Sequence, residues 1–241
     1  MSVHSRYQEP LKDQRQFFDE LITEEWDSYL NEAWDYTRRY EVARLLEFCK
    51  PARVLDIGCG CGFHDVEFAS REFVESVDAI DYSQASIRKA NEAYPHPNVF
   101  RHVADLETDR LEPQYDLVVS FQVIEHLVDA DVYFRFAIAA CRPGGAIAIM
   151  TPNTDRLDNR LRRWRGEKPA LVDPQHFHEY SIGELKAIGR RHGLVPRDSF
   201  GHTLQSLLFP KLTPADYRRS TRLGAALPRL ANVIGVVLEK P

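Results

Sequence analysis

The stretch Val54-Leu55-Asp56-Ile57-Gly58-Cys59-Gly60-Cys61-Gly62 is a short apolar strand that runs straight into three alternating glycines. A strand end of this kind must turn sharply and let a ligand approach the backbone, and glycine permits both. At the carboxyl end of a first strand in a doubly wound sheet, this is where a nucleoside-type ligand sits. The spacing is G-x-G-x-G behind an acid, not the G-x-G-x-x-G of a dinucleotide site. Asp56 would repel a pyrophosphate. It suits a ligand that carries an ammonium group and a sulfonium.

Outward from this stretch, strands and helices alternate. Strands are expected at 53–57, 75–80, 98–103, 116–120 and 146–150, with helices at 63–70, 83–94 and 130–141 between them. Ser83 is placed to cap its helix. Arg142-Pro143-Gly144-Gly145 reads as the turn before the fifth strand. Alternation at this pitch means a mostly parallel sheet with helices on both faces. Residues 152–175 break the rhythm and read as an inserted lid. A helix follows at 181–192, with Ser181 and Glu184 at capping-box spacing and Gly193 as its stop. Strands at 194–200 and 232–239 complete the pattern, separated by cap material at 204–230. Residues 1–15 are polar and read as frayed. Residues 16–49 are aromatic-rich and helical, so that 1–50 forms a helical cap before a main domain at 51–241.

The second strand ends in Asp81, whose carboxylate can accept two hydrogen bonds from ribose hydroxyls. A helix-capping role is the plainer alternative. The chain has 241 residues, 44% of them hydrophobic and 28% charged, which suits one soluble α/β domain with additions. Its net charge of -5 argues against a general nucleic-acid binder. The cysteines Cys49, Cys59, Cys61 and Cys141 lack a CxxC pair, which argues against zinc and points to reduced thiols in a cytoplasmic protein. No run has the length of a membrane span or the look of a signal peptide.

These motifs resemble those of class I S-adenosylmethionine-dependent methyltransferases. Val54–Gly62 resembles their first motif, and Ala79-Ile80-Asp81 their ribose-binding motif. Ala104-Asp105-Leu106 resembles the adenine-contacting element, and Tyr115–Leu127 (YDLVVSFQVIEHL) the fourth-strand motif. The resemblance implies a doubly wound seven-stranded sheet of order 3-2-1-4-5-7-6, with the last strand antiparallel. It implies S-adenosylmethionine held by Asp56, Gly58, Gly60, Gly62, Asp81, Tyr82, Asp105, Leu106 and Phe121.

Gln122-Val123-Ile124-Glu125-His126 is similar to the E-x-x-E-H of ubiquinone-pathway O-methyltransferases and of small-RNA terminal 2′-O-methyltransferases. There the motif binds a divalent metal such as magnesium, with a later residue. Carried over, the set is Glu125, His126 and His176, while Gln122 departs from the pattern by replacing the first glutamate. Without metal, His126 and His176 are the candidate catalytic residues, since a histidine near the methyl group can take a hydroxyl proton. A structural hydrogen bond is the alternative for His126. His178, two residues from His176 in what reads as extended chain, would face the same way.

Arg156, Arg160, Arg162, Arg163, Arg165 and Lys168 surround Trp164 in the insertion. Three readings stay open: a solvated helix face, a lid over an anionic substrate, or RNA contact with Trp164 stacked on a base. The expected function is O-methylation of a small-molecule hydroxyl. Methylation of an RNA 3′ end and a non-catalytic cofactor-binding scaffold are the alternatives.

Overall fold

The computed structural model describes residues 2–29, 32–112, 114–205 and 213–241. The N-terminal residues pack instead of fraying. Helix α1 (Val3–Arg6) leads to α2 (Arg15–Glu24), and Val3 is fully buried against Phe17 and Leu21. Tyr7 and Leu11 complete this small core. These few apolar residues sit in an otherwise polar stretch, which is why composition hid the packing. The rest of the helical stretch comprises a 3-10 turn at Trp26–Tyr29 and α3 (Glu32–Phe48).

The sheet follows as β1 (Arg53–Ile57), α4 (Phe63–Ala69), β2 (Ser76–Asp81), α5 (Gln84–Ala93), β3 (Val99–Val103) and β4 (Tyr115–Phe121). Then come a 3-10 turn (Ile124–His126), α6 (Ala130–Ala140), β5 (Cys141–Pro152), α7 (Leu157–Trp164), α8 (Ile182–Arg191), β6 (Val195–His202), α9 (Pro214–Ala226) and β7 (Val233–Glu239). The strand order is β3-β2-β1-β4-β5-β7-β6. β7 pairs antiparallel with both β5 and β6, and all other pairs are parallel.

Side chains alternate between two apolar layers, as the pleat requires. Leu55, Ile57, Val118, Ile147, Ile149, Ile234 and Val236 face the layer that holds α6 and α8. Val54, Val77, Leu117, Val119, Ala148 and Met150 face the other, with Val42, Leu45 and Phe68 from α3 and α4. Cores on both faces leave the strand ends as the place for a ligand.

One expected turn is instead a bulge. Arg142-Pro143-Gly144-Gly145 lies within β5, and the register to β4 jumps from Tyr115↔Cys141 to Leu117↔Ala146. Gly144 takes a φ of 74°, and its N–H donates to Lys240 O at 2.7 Å. The extra residues are therefore absorbed by pairing with the end of β7. Part of the 204–230 cap, residues 206–212, lies outside the described residues.

Candidate active site

β1 ends at a floor made by the glycine loop. Gly58, Gly60 and Gly62 adopt φ values of 73°, 50° and 80°, a region that other residues enter at a cost. A Cβ on Gly58 would lie 2.4 Å from Val123 Cγ2, so this glycine lets the loops after β1 and β4 meet. A Cβ on Gly60 would meet nothing within 4 Å, which leaves an open face. Asp81 closes the loop from β2: its carboxylate accepts the Gly60 N–H and the Ser83 N–H, both at 2.8 Å. Burial still pushes Asp81 up to about 6.

Asp56 is fully buried, and neither of its carboxylate oxygens has a hydrogen-bond partner. Burial first, and neighbouring Asp65 second, raise it well above the usual carboxylate range. Asp65 in turn accepts from Arg101 Nε at 2.8 Å. Among the described residues no N–H or O–H donates to Asp56, so it either shares a proton with Asp65 or takes a donor from a ligand. The ammonium end of S-adenosylmethionine is such a donor, so the residues present fit this cofactor.

The chain leading into α2 packs on Tyr82. Tyr82 OH donates to Asp13 at 2.7 Å, and the Arg15 guanidinium lies 4.0 Å from the centre of the Tyr82 ring. Arg15 also reaches within 3.7 Å of Asp105. Asp105 caps its own turn by accepting Glu107 N–H at 2.9 Å, while Leu106 packs on the core. Phe121 ends β4 and stacks on His64 with ring centres 3.6 Å apart.

Beyond Phe121 the 3-10 turn presents Glu125 and His126, and the segment before α8 brings in His176. One donor atom from each of the three lies within 4.8 Å of the others. Glu125 Oε2 accepts from the Thr151 hydroxyl at 2.8 Å, whereas Oε1 is buried without a partner. Burial pushes Glu125 up to about 7 against the pull of His176, its backbone and Thr151. Burial also lowers His126 to about 3, with His176 adding to the effect. His126 Nδ1 meets Gln14 Oε1 at 3.1 Å and Gln175 O at 3.3 Å. Gln122 takes no part: its side chain is exposed and its φ is 60°.

His178 does not share this pocket. His176 is 5% exposed, while the His178 side chain is 53% exposed and lies 3.6 Å from Glu184. The backbone here turns instead of extending. Gln175 N–H donates to Asp173 Oδ1 at 2.7 Å and His176 N–H to Asp173 O at 3.2 Å. Asp173-Pro174 is a turn initiator whose signal was available in the sequence.

Residues without a motif support the site. Glu179 accepts from His176 Nδ1 at 3.0 Å and pairs with Arg156, all three being buried. Burial pushes the Glu179 carboxyl up, but His176, the Val172 N–H and Arg156 outweigh it and hold it below the usual range. The only sequence trace of this contact is the i,i+3 spacing of His176 and Glu179. Of the basic run only Arg156 is buried, while Arg160, Arg163, Arg165 and Lys168 are exposed. Arg163 pairs with Asp155 at 2.7 Å and Arg162 lies 3.6 Å from Glu167. Trp164 is 84% exposed. A second Glu–His cluster lies elsewhere: Glu41 accepts from His64 Nε2 at 2.9 Å and His202 Nε2 at 2.8 Å. Of the cap aromatics, Trp34 is part-exposed and Tyr40 packs at 5.8 Å from the His202 ring.

The sheet order, the glycine loop and the acid after β2 define a class I methyltransferase fold of the S-adenosylmethionine-dependent kind. Residues 27–198 match the family described as "Methyltransferase domain", and the chain belongs to that family. It is 31% identical over 166 residues to a probable S-adenosylmethionine-dependent methyltransferase of Mycolicibacterium smegmatis, covering 68% of this chain and 61% of that one. The chain spans about half the length of two Mycobacterium tuberculosis relatives, 52% of each. A ubiquinone biosynthesis O-methyltransferase of Hydrogenovibrio crunogenus is 25% identical over 206 residues, covering 79% of this chain and 83% of that one. Among solved structures, magnesium protoporphyrin IX methyltransferase from Synechocystis with bound SAH superposes with a TM-score of 0.64. It is 15% identical and covers 94% of this chain and 98% of that one. That likeness concerns the fold.

Proposed function

We propose that the protein transfers the methyl group of S-adenosylmethionine to a hydroxyl oxygen of a small-molecule acceptor. The observation that carries this reading is the convergence of Glu125, His126 and His176 just past the end of β4. The Hydrogenovibrio relative, named as an O-methyltransferase, supports the choice of oxygen.

When bound, the cofactor supplies an electrophilic sulfonium methyl. Asp81 is assigned to accept its ribose hydroxyls and Asp56 to receive its ammonium group. Tyr82, Asp105, Leu106 and Phe121 would enclose the nucleoside, with Asp13 and Arg15 holding Tyr82 in place. Holding acceptor and methyl in line contributes most of the acceleration in such a displacement. The acceptor hydroxyl loses its proton as the oxygen–carbon bond forms. Burial makes His126 a poor proton acceptor. His176, backed by the Glu179 carboxylate, is therefore assigned the proton.

The same three donors suggest a second reading, in which a divalent cation binds there. The fit to magnesium is poor, because magnesium takes oxygen donors and the Gln122 side chain does not join the set. One carboxylate and two neutral imidazoles suit zinc or iron(II) better. Such an ion would lower the pKa of the acceptor hydroxyl.

The test is transfer of labelled methyl to a panel of catechols, alcohols, carboxylates and amines. Label is expected in base-stable ethers. Label found only on nitrogen, carbon or carboxylate oxygen would overturn the hydroxyl assignment. Prior treatment with a chelator separates the two readings: unchanged turnover removes the cation.

A further inference from the structure

We infer that Glu179, clamped by Arg156, is the positioning residue that fixes the tautomer of His176 and leaves its Nε2 bare towards Glu125 and His126. The inference rests on the proposed role of His176 and names the device that prepares it. Glu179 Oε1 lies 3.0 Å from His176 Nδ1. The same oxygen accepts the Val172 N–H, and Oε2 pairs with Arg156. A carboxylate opposite an arginine is ionised and can only accept. The contact with His176 therefore requires the proton on Nδ1, and the lone pair of a neutral ring then sits on Nε2.

Burial makes this arrangement matter. Arg156, Glu179 and His176 are 6%, 2% and 5% exposed. Water is in no position to replace a lost partner, so a change at Glu179 must be answered by the imidazole or by Arg156. His126 is set in the same sense. Its Nδ1 meets two acceptors, Gln14 Oε1 and Gln175 O. The Gln14 amide is itself oriented by donating Nε2–H to Gln175 O at 2.8 Å. Both imidazoles thus turn an unprotonated Nε2 away from their anchors. Glu125 adds an oxygen without a partner.

Arg156 links this device to the inserted segment. It is the residue just before α7, and its guanidinium also donates to Asn153 O at 3.2 Å and to Ala170 O. Asn159 donates to Ala170 O at 3.1 Å and receives the Ala170 N–H at 2.9 Å. One buried ion pair therefore seats the insertion and sets the histidine. The arginine run, open in sequence to readings as a solvated face, a substrate lid or an RNA contact, contributes this strut through Arg156.

The decisive measurement is the 15N shift of the His176 ring nitrogens in ligand-free wild-type protein at neutral pH. A protonated Nδ1 and an unprotonated Nε2 are expected. A proton on Nε2 overturns the inference. Neither acceptor nor cofactor is needed, so failure of the hydroxyl-methylation reading does not alter this result. In Glu179→Gln the Nδ1–H signature should weaken, and kcat should fall about 10- to 100-fold with KM nearly unchanged. Glu179→Asp should recover part of the loss. S-adenosylmethionine affinity, set at Asp81 and Asp56, should stay as in wild type and serves as the control for folding. A Glu179→Gln protein with wild-type ring shifts and wild-type kcat also overturns the inference. Cobalt(II) absorption gives an independent reading of the bare nitrogens. Its affinity should drop about 10- to 100-fold in Glu179→Gln, and equal affinity in both proteins counts against the device.

Discussion

Glu41 and Glu125 are both buried carboxylates set beside two histidines, and they contact opposite apolar layers of the sheet. Glu41 takes a hydrogen bond on each oxygen, from His64 and His202, and His202 Nδ1 meets the Thr203 hydroxyl at 2.9 Å. Burial pushes Glu41 up, but the two imidazoles outweigh it and bring it to about 2. Glu125 receives one hydroxyl and keeps one bare oxygen, and it rises to about 7. The residue types and the burial are the same. The difference is saturation: Glu41 ties α3 to α4 and β6, whereas the Glu125 cluster retains capacity for something that is not protein. Incomplete hydrogen bonding in a buried titratable cluster marks it as a site candidate.

The comparison breaks most visibly at Glu41. Glu41→Gln should cost about 3 kcal/mol of stability at neutral pH, from the linkage of its lowered pKa. A carboxyl held down in the folded state stabilises above its unfolded value near 4.5. That contribution is lost as pH falls from there towards 2. Denaturant titrations across pH check this, and a pH-independent difference would show that Glu41 is not ionised.

Asp81 sharpens the contrast as an intermediate case with the opposite sign. Its pKa is raised to about 6, so its ionisation works against folding as pH rises from about 4 to 6. Asp81→Asn should flatten stability over that window. It should also weaken S-adenosylmethionine binding about 10- to 100-fold, the equivalent of a hydrogen bond to a charged group. Calorimetry reads the affinity. The surface pairs should matter least. Arg163→Ala, which breaks the exposed contact with Asp155, should change stability by less than about 1 kcal/mol. His178→Ala should stay within about 0.5 kcal/mol of wild type and leave turnover unchanged.

What was legible in the sequence follows from range. The strands announce themselves because Val54 and Leu55, or Ala148 and Ile149, alternate between two cores a few residues apart. The glycine loop and Asp81 are readable because local backbone demands select those residue types. Glu125 and His126 are adjacent in sequence, so two of the three members of their cluster are visible at once. His176 was reachable through resemblance. The partners that determine how the histidines behave were not. Gln14 lies 112 positions from His126, and His202 lies 161 from Glu41. Contacts at such separation leave no periodic trace. The bulge at Gly144 was hidden for a similar reason: its amide pairs with Lys240 at the far end of the chain.

The most direct measurement compares methyl transfer to oxygen in wild type, His176→Ala and His202→Ala at equal S-adenosylmethionine saturation. Wild type and folded His202→Ala should methylate the acceptor hydroxyl at rates within about threefold of each other, while His176→Ala should lose about 10²- to 10⁴-fold in kcat, as expected for a missing proton acceptor. Equal losses in both variants, or none in His176→Ala, would contradict the division between a saturated structural cluster and an unsaturated working one.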